Sequence, residues 1–215
     1  MTDGYSGNSA GANTGAGNGG QNSAQNGAQS ARKFIREPAK RVFAAELRET
    51  RLQFKDGNDE KSPVYVILPT GERCNRIFFC GQMTQKEKKG DDTPFYTARV
   101  TDPTGIFFIN AGSYQQEAMA KISKIEQGMY VSVIGKPVVR TTPDGSVFVS
   151  VRVENISVTD IDTAKIWIDD AAKATLDRIA VFGKTDDSIK AEEFYNTNLD
   201  VYKQAAYNAL IKTEM

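Results

Sequence analysis

The sequence predicts a mainly β protein: a small closed barrel of five strands, with an added N-terminal hairpin, C-terminal α-helices and a disordered N-terminal tail. Three observations carry the barrel. Between residues 76 and 160, five runs rich in Phe, Ile and Val are separated by Pro, Gly and Asp turn chemistry. One helical stretch interrupts them after the third run. Side chains alternate across a strand, which sorts the residues of each run into two faces, one of them uniformly valine in the fifth run.

The elements follow in order. Arg76–Met83 is the first strand, followed by a charged loop, Thr84–Asp92. Phe95–Thr101 turns at Asp102-Pro103-Thr104-Gly105 into Ile106–Ala111. Tyr114–Gln127 reads as a helix stopped by Gly128. Tyr130–Val139 and Val147–Val153 are joined by Thr142-Pro143-Asp144-Gly145. Three strands, a helix and two strands is the order of the OB-fold, a barrel that binds single-stranded nucleic acid or a partner protein.

Upstream, Met1–Ala31 is nearly all Gly, Asn, Ser, Ala and Gln, too polar to offset chain entropy, so disorder is expected. Its glycine run Gly15–Gly20 mimics a phosphate loop only in composition, since no strand precedes it and no helix follows. Arg32–Arg41 is a basic collar, with Arg32, Lys33, Arg36, Lys40 and Arg41 against Glu37. Val42–Phe54 suits a short helix followed by a strand. Lys55–Lys61 is a turn, and Arg51–Leu68 is expected to add a hairpin to the barrel. Downstream, Ile168, Ala172, Leu176, Ile179 and Phe182 form one helical stripe, capped by Asp162 or Thr163 and stopped by Gly183. Leu199, Tyr202, Ala206, Ala209 and Leu210 form a second, after the polar connector Lys184–Ser188. The organisation is a tail over 1–36, the barrel with its extension over 37–160, and assembly helices over 161–215.

Composition narrows the function. Formal net charge is zero, so no global field attracts polyanions. Histidine is absent, removing the usual general base and the commonest metal ligand. Two cysteines, Cys74 and Cys80, make neither a disulfide framework nor a Cys-only zinc site. No apolar run is long enough to span a bilayer and no signal peptide is visible. The expectation is a non-enzymatic, cytoplasmic and nucleoid-associated protein with no cofactor, no metal, no small-molecule substrate and no membrane.

Strand alternation assigns faces. Val147, Val149, Val151 and Val153 point into the barrel, leaving Phe148, Ser150 and Arg152 outside. Tyr96, Ala98, Val100, Phe107, Ile109 and Ala111 point inward, leaving Phe95, Arg99, Ile106 and Phe108 outside. An outward ring can stack on a base, worth ~1–3 kcal/mol each, and a neighbouring guanidinium can hold a phosphate. An OB-fold groove runs over strands two and three, between the loops joining strands one to two and four to five. Lys86, Lys88 and Lys89 in the first loop and Arg140 in the second put cations at both rims, diluted by Glu87, Asp91 and Asp92. The other reading stays open: Phe95 and Phe108 pack under the hairpin or a helix, and Arg99 and Arg152 pair with carboxylates. Phe148 is expected to be covered.

Four segments carry a family resemblance: Tyr65–Arg73, Val100–Gly105, Tyr130–Pro137 and Val149–Ile156. Through them, residues 37–182 resemble the archaeal replication protein A family, in particular its OB-fold, middle-subunit-like member. The resemblance implies a single-stranded-DNA-binding complex of replication and repair, with single-stranded DNA and further subunits as partners. It also implies that the helix after the barrel joins partner helices in a bundle, which makes Trp167, Ile168, Ala172, Leu176, Ile179 and Phe182 interface candidates. The Gly/Asn/Ser tail is similar to that of eukaryotic middle subunits, whereas Lys190–Met215 is too short for their winged-helix domain. The alternative is a scaffold subunit whose barrel never touches DNA.

Overall fold

The computed structural model describes residues 36–60 and 62–214. The tail, with Arg32 and Lys33 of the collar, lies outside them. Five long strands make the barrel: β5 (Ile77–Lys89), β6 (Phe95–Asp102), β7 (Gly105–Ala111), β8 (Tyr130–Thr141) and β9 (Val147–Thr159). The hydrogen-bonded order is β5-β6-β7-β9-β8, and an antiparallel β5–β8 pairing closes the circle. The β7–β9 pairing is parallel, through Ile109–Val151 and Asn110–Arg152; the other barrel pairings are antiparallel. This is the OB-fold.

The expected faces are those observed. Ala98, Val100, Phe107, Ile109, Ala111, Val151 and Val153 are buried, and Phe79 stacks on Phe107 with centroids 3.8 Å apart. Tyr96, Val147 and Val149 are half-buried against the same core. Closure bends the strands tightly at two glycines. A Cβ on Gly81 would sit 2.5 Å from the Thr101 carbonyl oxygen, and one on Gly135 2.5 Å from Val151, beside the irregular register at Ile134.

Strand ends differ from expectation. The charged segment Thr84–Lys89 continues β5, pairing through Lys89 with Phe95, and leaves only a short connection at 90–94. It has no apolar alternation because this part of the ribbon projects past the core. The helix after β7 is a 3₁₀ turn, Ser113–Gln115, then α2 (Gln116–Lys124), ending before Gly128, whose φ is +91°.

Before the barrel come β1 (Lys40–Arg41), α1 (Ala44–Arg48), β2 (Leu52–Lys55), β3 (Val64–Ile67) and β4 (Arg73–Cys74). Only β1 joins the barrel sheet; β2, β3 and β4 form a separate three-stranded sheet, so the hairpin stands beside the barrel rather than extending it. Three helices follow: α3 (Ile161–Ala180), α4 (Asp186–Tyr195) and α5 (Asp200–Glu214). The α3 cap is Asp160, which accepts from the Thr163 N–H at 2.6 Å, two residues before the expected Asp162. Thr185 caps α4, which starts inside the expected connector.

Two polar knots fasten these parts. The turn between β6 and β7 is centred on buried Asp102. Its Oδ1 accepts from Thr104 N, Thr104 Oγ1 and Gly105 N, and its Oδ2 from Ala44 N, so one carboxyl holds a turn and the start of α1. Buried Glu46 accepts from Thr70, Thr175, the Phe43 N–H and Arg178 Nη2, joining α1, the turn after β3 and α3.

The assembly stripe has a different place. Trp167 is 3% exposed, donates to the Phe78 carbonyl at 3.2 Å and meets Phe43 edge to face. Ile168 and Ala172 are buried, and Leu176, Ile179 and Phe182 are half-buried. Ala206 and Ala209 of α5, in the same buried cluster, and strands β5 and β8 of the barrel pack against this helix. The stripe is wide because it packs on two neighbours of the same chain. The outer face of α3 carries Asp162, Asp169, Asp170, Lys173 and Asp177, with Ile161 and Ile166 as exposed large apolar residues.

Candidate nucleic-acid interface

The outward faces of β5, β6, β7 and β9 form one curved surface. Register places Gln85 beside Arg99 and Arg99 beside Phe108 across three strands. One step along lie Glu87, Thr97 and Asn110, and at the end Lys89 and Phe95. A depression of about 260 Å³ runs here, walled by Gln85, Lys89, Arg99, Phe108, Asn110 and Ser150. Phe108 is 43% exposed and Phe95 38%, so neither is covered by the hairpin or by a C-terminal helix.

The Arg99 guanidinium carbon lies 5.5 Å from the Phe108 ring centroid. The cation–π contact restrains the guanidinium over the Phe108 ring, which limits its freedom before any ligand arrives. A flat guanidinium is itself a surface for a base to stack on. Asn110 Nδ2 donates to Ser150 Oγ at 3.2 Å, tying β7 to β9 across the lining of the trough.

The rims are less basic than the sequence suggests. Lys86 Nζ donates to the carbonyls of Ser123 (2.9 Å) and Ile125 (2.7 Å), capping the C-terminus of α2 on the other side of the ribbon. Lys88 pairs with Tyr96, and alternation turns it the way of Lys86. Lys89 shares the trough's face but sits 3.2 Å from Glu87. Strand alternation separates these three lysines, which a loop reading had grouped.

The second rim is the β8–β9 hairpin. Arg140 stands directly across from Phe148, and both are exposed. Phe148 is 61% exposed rather than covered. An arginine opposite a phenylalanine thus occurs twice on this face, at 99/108 and at 140/148. At the hairpin tip Asp144 carries a negative charge; hydrogen bonds from Thr142 and then Ser146 hold its carboxyl below the usual range. Arg152 is exposed and pairs with Asn110 in register, extending the surface beyond the trough.

No family model matches this chain, and no curated protein does. Several solved structures resemble part of it. SSBb, the second single-stranded DNA binding protein of Mycobacterium smegmatis, is 15% identical at a TM-score of 0.35, covering 42% of this chain and 90% of that one. The Stn1–Ten1 complex of S. pombe is 11% identical at 0.45, covering 74% of this chain and 100% of that one. Yeast Stn1 and Ten1 give 14% identity at 0.41, covering 57% and 62%. At these values the likeness carries nothing about ligand or partner.

Strand alternation turns Thr97, Asn110 and Ser150 outward without marking them as binding residues, although they form the polar floor of the trough; Tyr114, 96% exposed just past β7, is a site residue that sequence reasoning missed. Alternation past Phe108 reaches Asn110, and past Phe148 it reaches Ser150, so the floor was available to the same counting. Tyr114 was hidden by its assignment to a helix. Among the described residues no cluster of His, Cys, Asp and Glu can hold a metal ion, and no helix is long and apolar enough to cross a membrane.

Proposed function

We propose that this chain is a non-enzymatic OB-fold protein that binds single-stranded nucleic acid through the β6–β7 trough. The carrying observation is the exposed Arg99–Phe108 pair at the centre of an open, polar-floored depression, with Phe95 at one end. Bases stack on rings and on the guanidinium without reading sequence, and the cations take the backbone. With zero net charge and few free cations at the rims, affinity is weak and salt-sensitive.

In its finer form the proposal is a subunit of a replication-protein-A-like complex serving DNA replication and repair. Weak barrels gain affinity when linked, through effective concentration. The partner bundle of this reading has to use a surface other than the covered stripe of α3, or displace α5 from it. A scaffold role makes the opposite forecast for the trough.

The test is Phe95, Arg99 and Phe108 each changed to Ala, with fluorescence anisotropy on labelled single-stranded DNA over a salt series. Loss of binding with the fold intact supports the proposal. Unchanged binding, with lost association to co-purified subunits, replaces it with the scaffold. A single-stranded RNA of matched sequence reports whether the trough senses the 2′-hydroxyl.

A further inference from the structure

A second concavity lies one strand beyond the trough. It has a volume of about 440 Å³ and is lined by Arg36, Tyr114, Gln116, Lys136, Arg152 and Glu154, with Glu117 at its edge. Its geometry follows from the barrel. The pairing of Asn110 with Arg152 joins β7 to β9, and the pairing of Arg152 with Lys136 joins β9 to β8. After Ala111 the chain leaves β7 and turns under the barrel as the 3₁₀ segment, which raises Tyr114 at the cleft's edge.

Three features set this cleft apart from an ordinary charged surface. Lys136 and Arg152 are direct cross-strand neighbours, an arrangement of like charges that weakens a sheet. Both carboxylates of the cleft already have cationic partners: Glu154 accepts two hydrogen bonds from Arg76, and Glu117 sits 2.8 Å from Lys121. Glu154 is pushed up by burial, yet it ends below its ordinary range because Arg76 first, then Lys136 and Arg36, favour its charge. Among the described residues Arg36, Lys136 and Arg152 close no ion pair, so the cleft keeps an excess of positive charge. Finally, Tyr114 is 96% exposed, an aromatic ring with almost no intramolecular contact.

The cleft adjoins the trough across the β7–β9 pairing. From Phe108 it is two residues along β7 to Asn110 and one strand across to Arg152, about 8 Å by strand geometry. At the other end, a Cβ on Gly112 would touch Phe95, and Tyr114 is two residues on.

We propose that a single strand leaving the trough crosses β9 into this cleft, where Lys136, Arg152 and Arg36 hold its phosphodiester backbone and Tyr114 stacks on one base. The inference rests on the binding role of the trough and adds a second subsite to it. It makes affinity depend on strand length: an oligonucleotide that fills only the trough misses the cleft.

The experiment compares oligonucleotides of about 4 and about 12 nucleotides, both within the range of OB-fold site sizes, on the full chain and on the variant Tyr114→Ala/Lys136→Gln. Both substituted side chains lie outside the trough. The wild-type protein binds the longer strand at least tenfold more tightly and with a steeper salt dependence. The variant binds the short strand as the wild type does, loses most of the length-dependent gain, and has a log–log salt slope shallower by about 0.7 for the one cation removed. Lys136→Arg with Tyr114 intact keeps the gain. A variant that retains the whole gain overturns the second subsite and leaves the trough standing. A wild-type protein that shows no gain with length does the same. Failure of the wild type to bind either strand removes the trough and the cleft together.

Discussion

Arg99 and Phe108 depend on one another, so single substitutions should not read alike. Phe108→Ala removes the stacking ring and frees the guanidinium, costing ~1–3 kcal/mol of binding. Arg99→Lys keeps the charge but loses the planar fork and the flat surface, so it should weaken binding nearly as much as Arg99→Ala while leaving the salt slope of the wild type. Anisotropy titrations at several salt concentrations separate the two effects; equal slopes for Ala and Lys at position 99 would remove phosphate contact from this arginine. Glu46 and Arg178 are a residue pair of another kind, at 1% and 8% exposure. Their link holds α1 to α3 without touching the trough. Arg178→Met leaves the Glu46 carboxylate buried without its cation, and urea unfolding should report a loss of ~3–5 kcal/mol. Glu46→Gln combined with Arg178→Met should recover part of it, since the neutral amide oxygen still accepts from the buried donors around it while no unpaired charge is left inside.

At the scale of the element, α3 is the part whose role changes most between text and structure. Its stripe was legible because Ile168, Ala172 and Leu176 repeat at helical spacing. What covers the stripe was not, since the small residues of α5 that face it, Ala206 and Ala209, suit a neighbour from any chain. Trp167 anchors the α3 seam against Phe43 and the Phe78 carbonyl. Trp167→Ala should therefore cost ~3–5 kcal/mol of stability in the isolated chain, measured by chemical unfolding; a loss seen only in the presence of partner subunits would return this residue to an intermolecular interface. The barrel strands were readable because one face is buried and the other wet, which writes the period of two into the sequence. The outer part of β5 was not, because Thr84–Lys89 is solvated on both sides and carries no period. Helix α4 escaped for a related reason: its buried positions are Ser188 and Ala191, too small to mark a stripe. The trough residues Phe95, Arg99 and Phe108 followed from alternation alone, whereas the cleft needed the β7–β9 pairing, a contact between strands distant in sequence.

For the whole molecule, pH reports how the barrel is fastened to what precedes it. Burial drives the Asp102 carboxyl up to about 6, against the pull of hydrogen bonds from Ala44, Thr104 and Gly105. In the unfolded chain the same group titrates near about 4. Between these values the native state binds more protons than the unfolded state, so stability falls as pH rises through the window. Above it the ionised carboxylate keeps its four donors but has lost its hydration, and the cost relative to acid is on the order of 2–3 kcal/mol. Glu154 acts in the opposite sense and at lower pH: its carboxyl ends below the ordinary range, so its contribution is present above that range and is lost as pH falls. The two are separable because Asp102→Asn removes only the first. Urea midpoints measured from pH 4 to pH 7 should show the wild type losing stability relative to Asp102→Asn as pH increases, with most of the change complete near pH 6. Parallel curves for the two proteins would mean that Asp102 titrates in the fold where it does in the unfolded chain, with its four donors balancing burial. The β6–β7 turn would then be fixed to α1 by an ionised carboxylate over nearly all of the range.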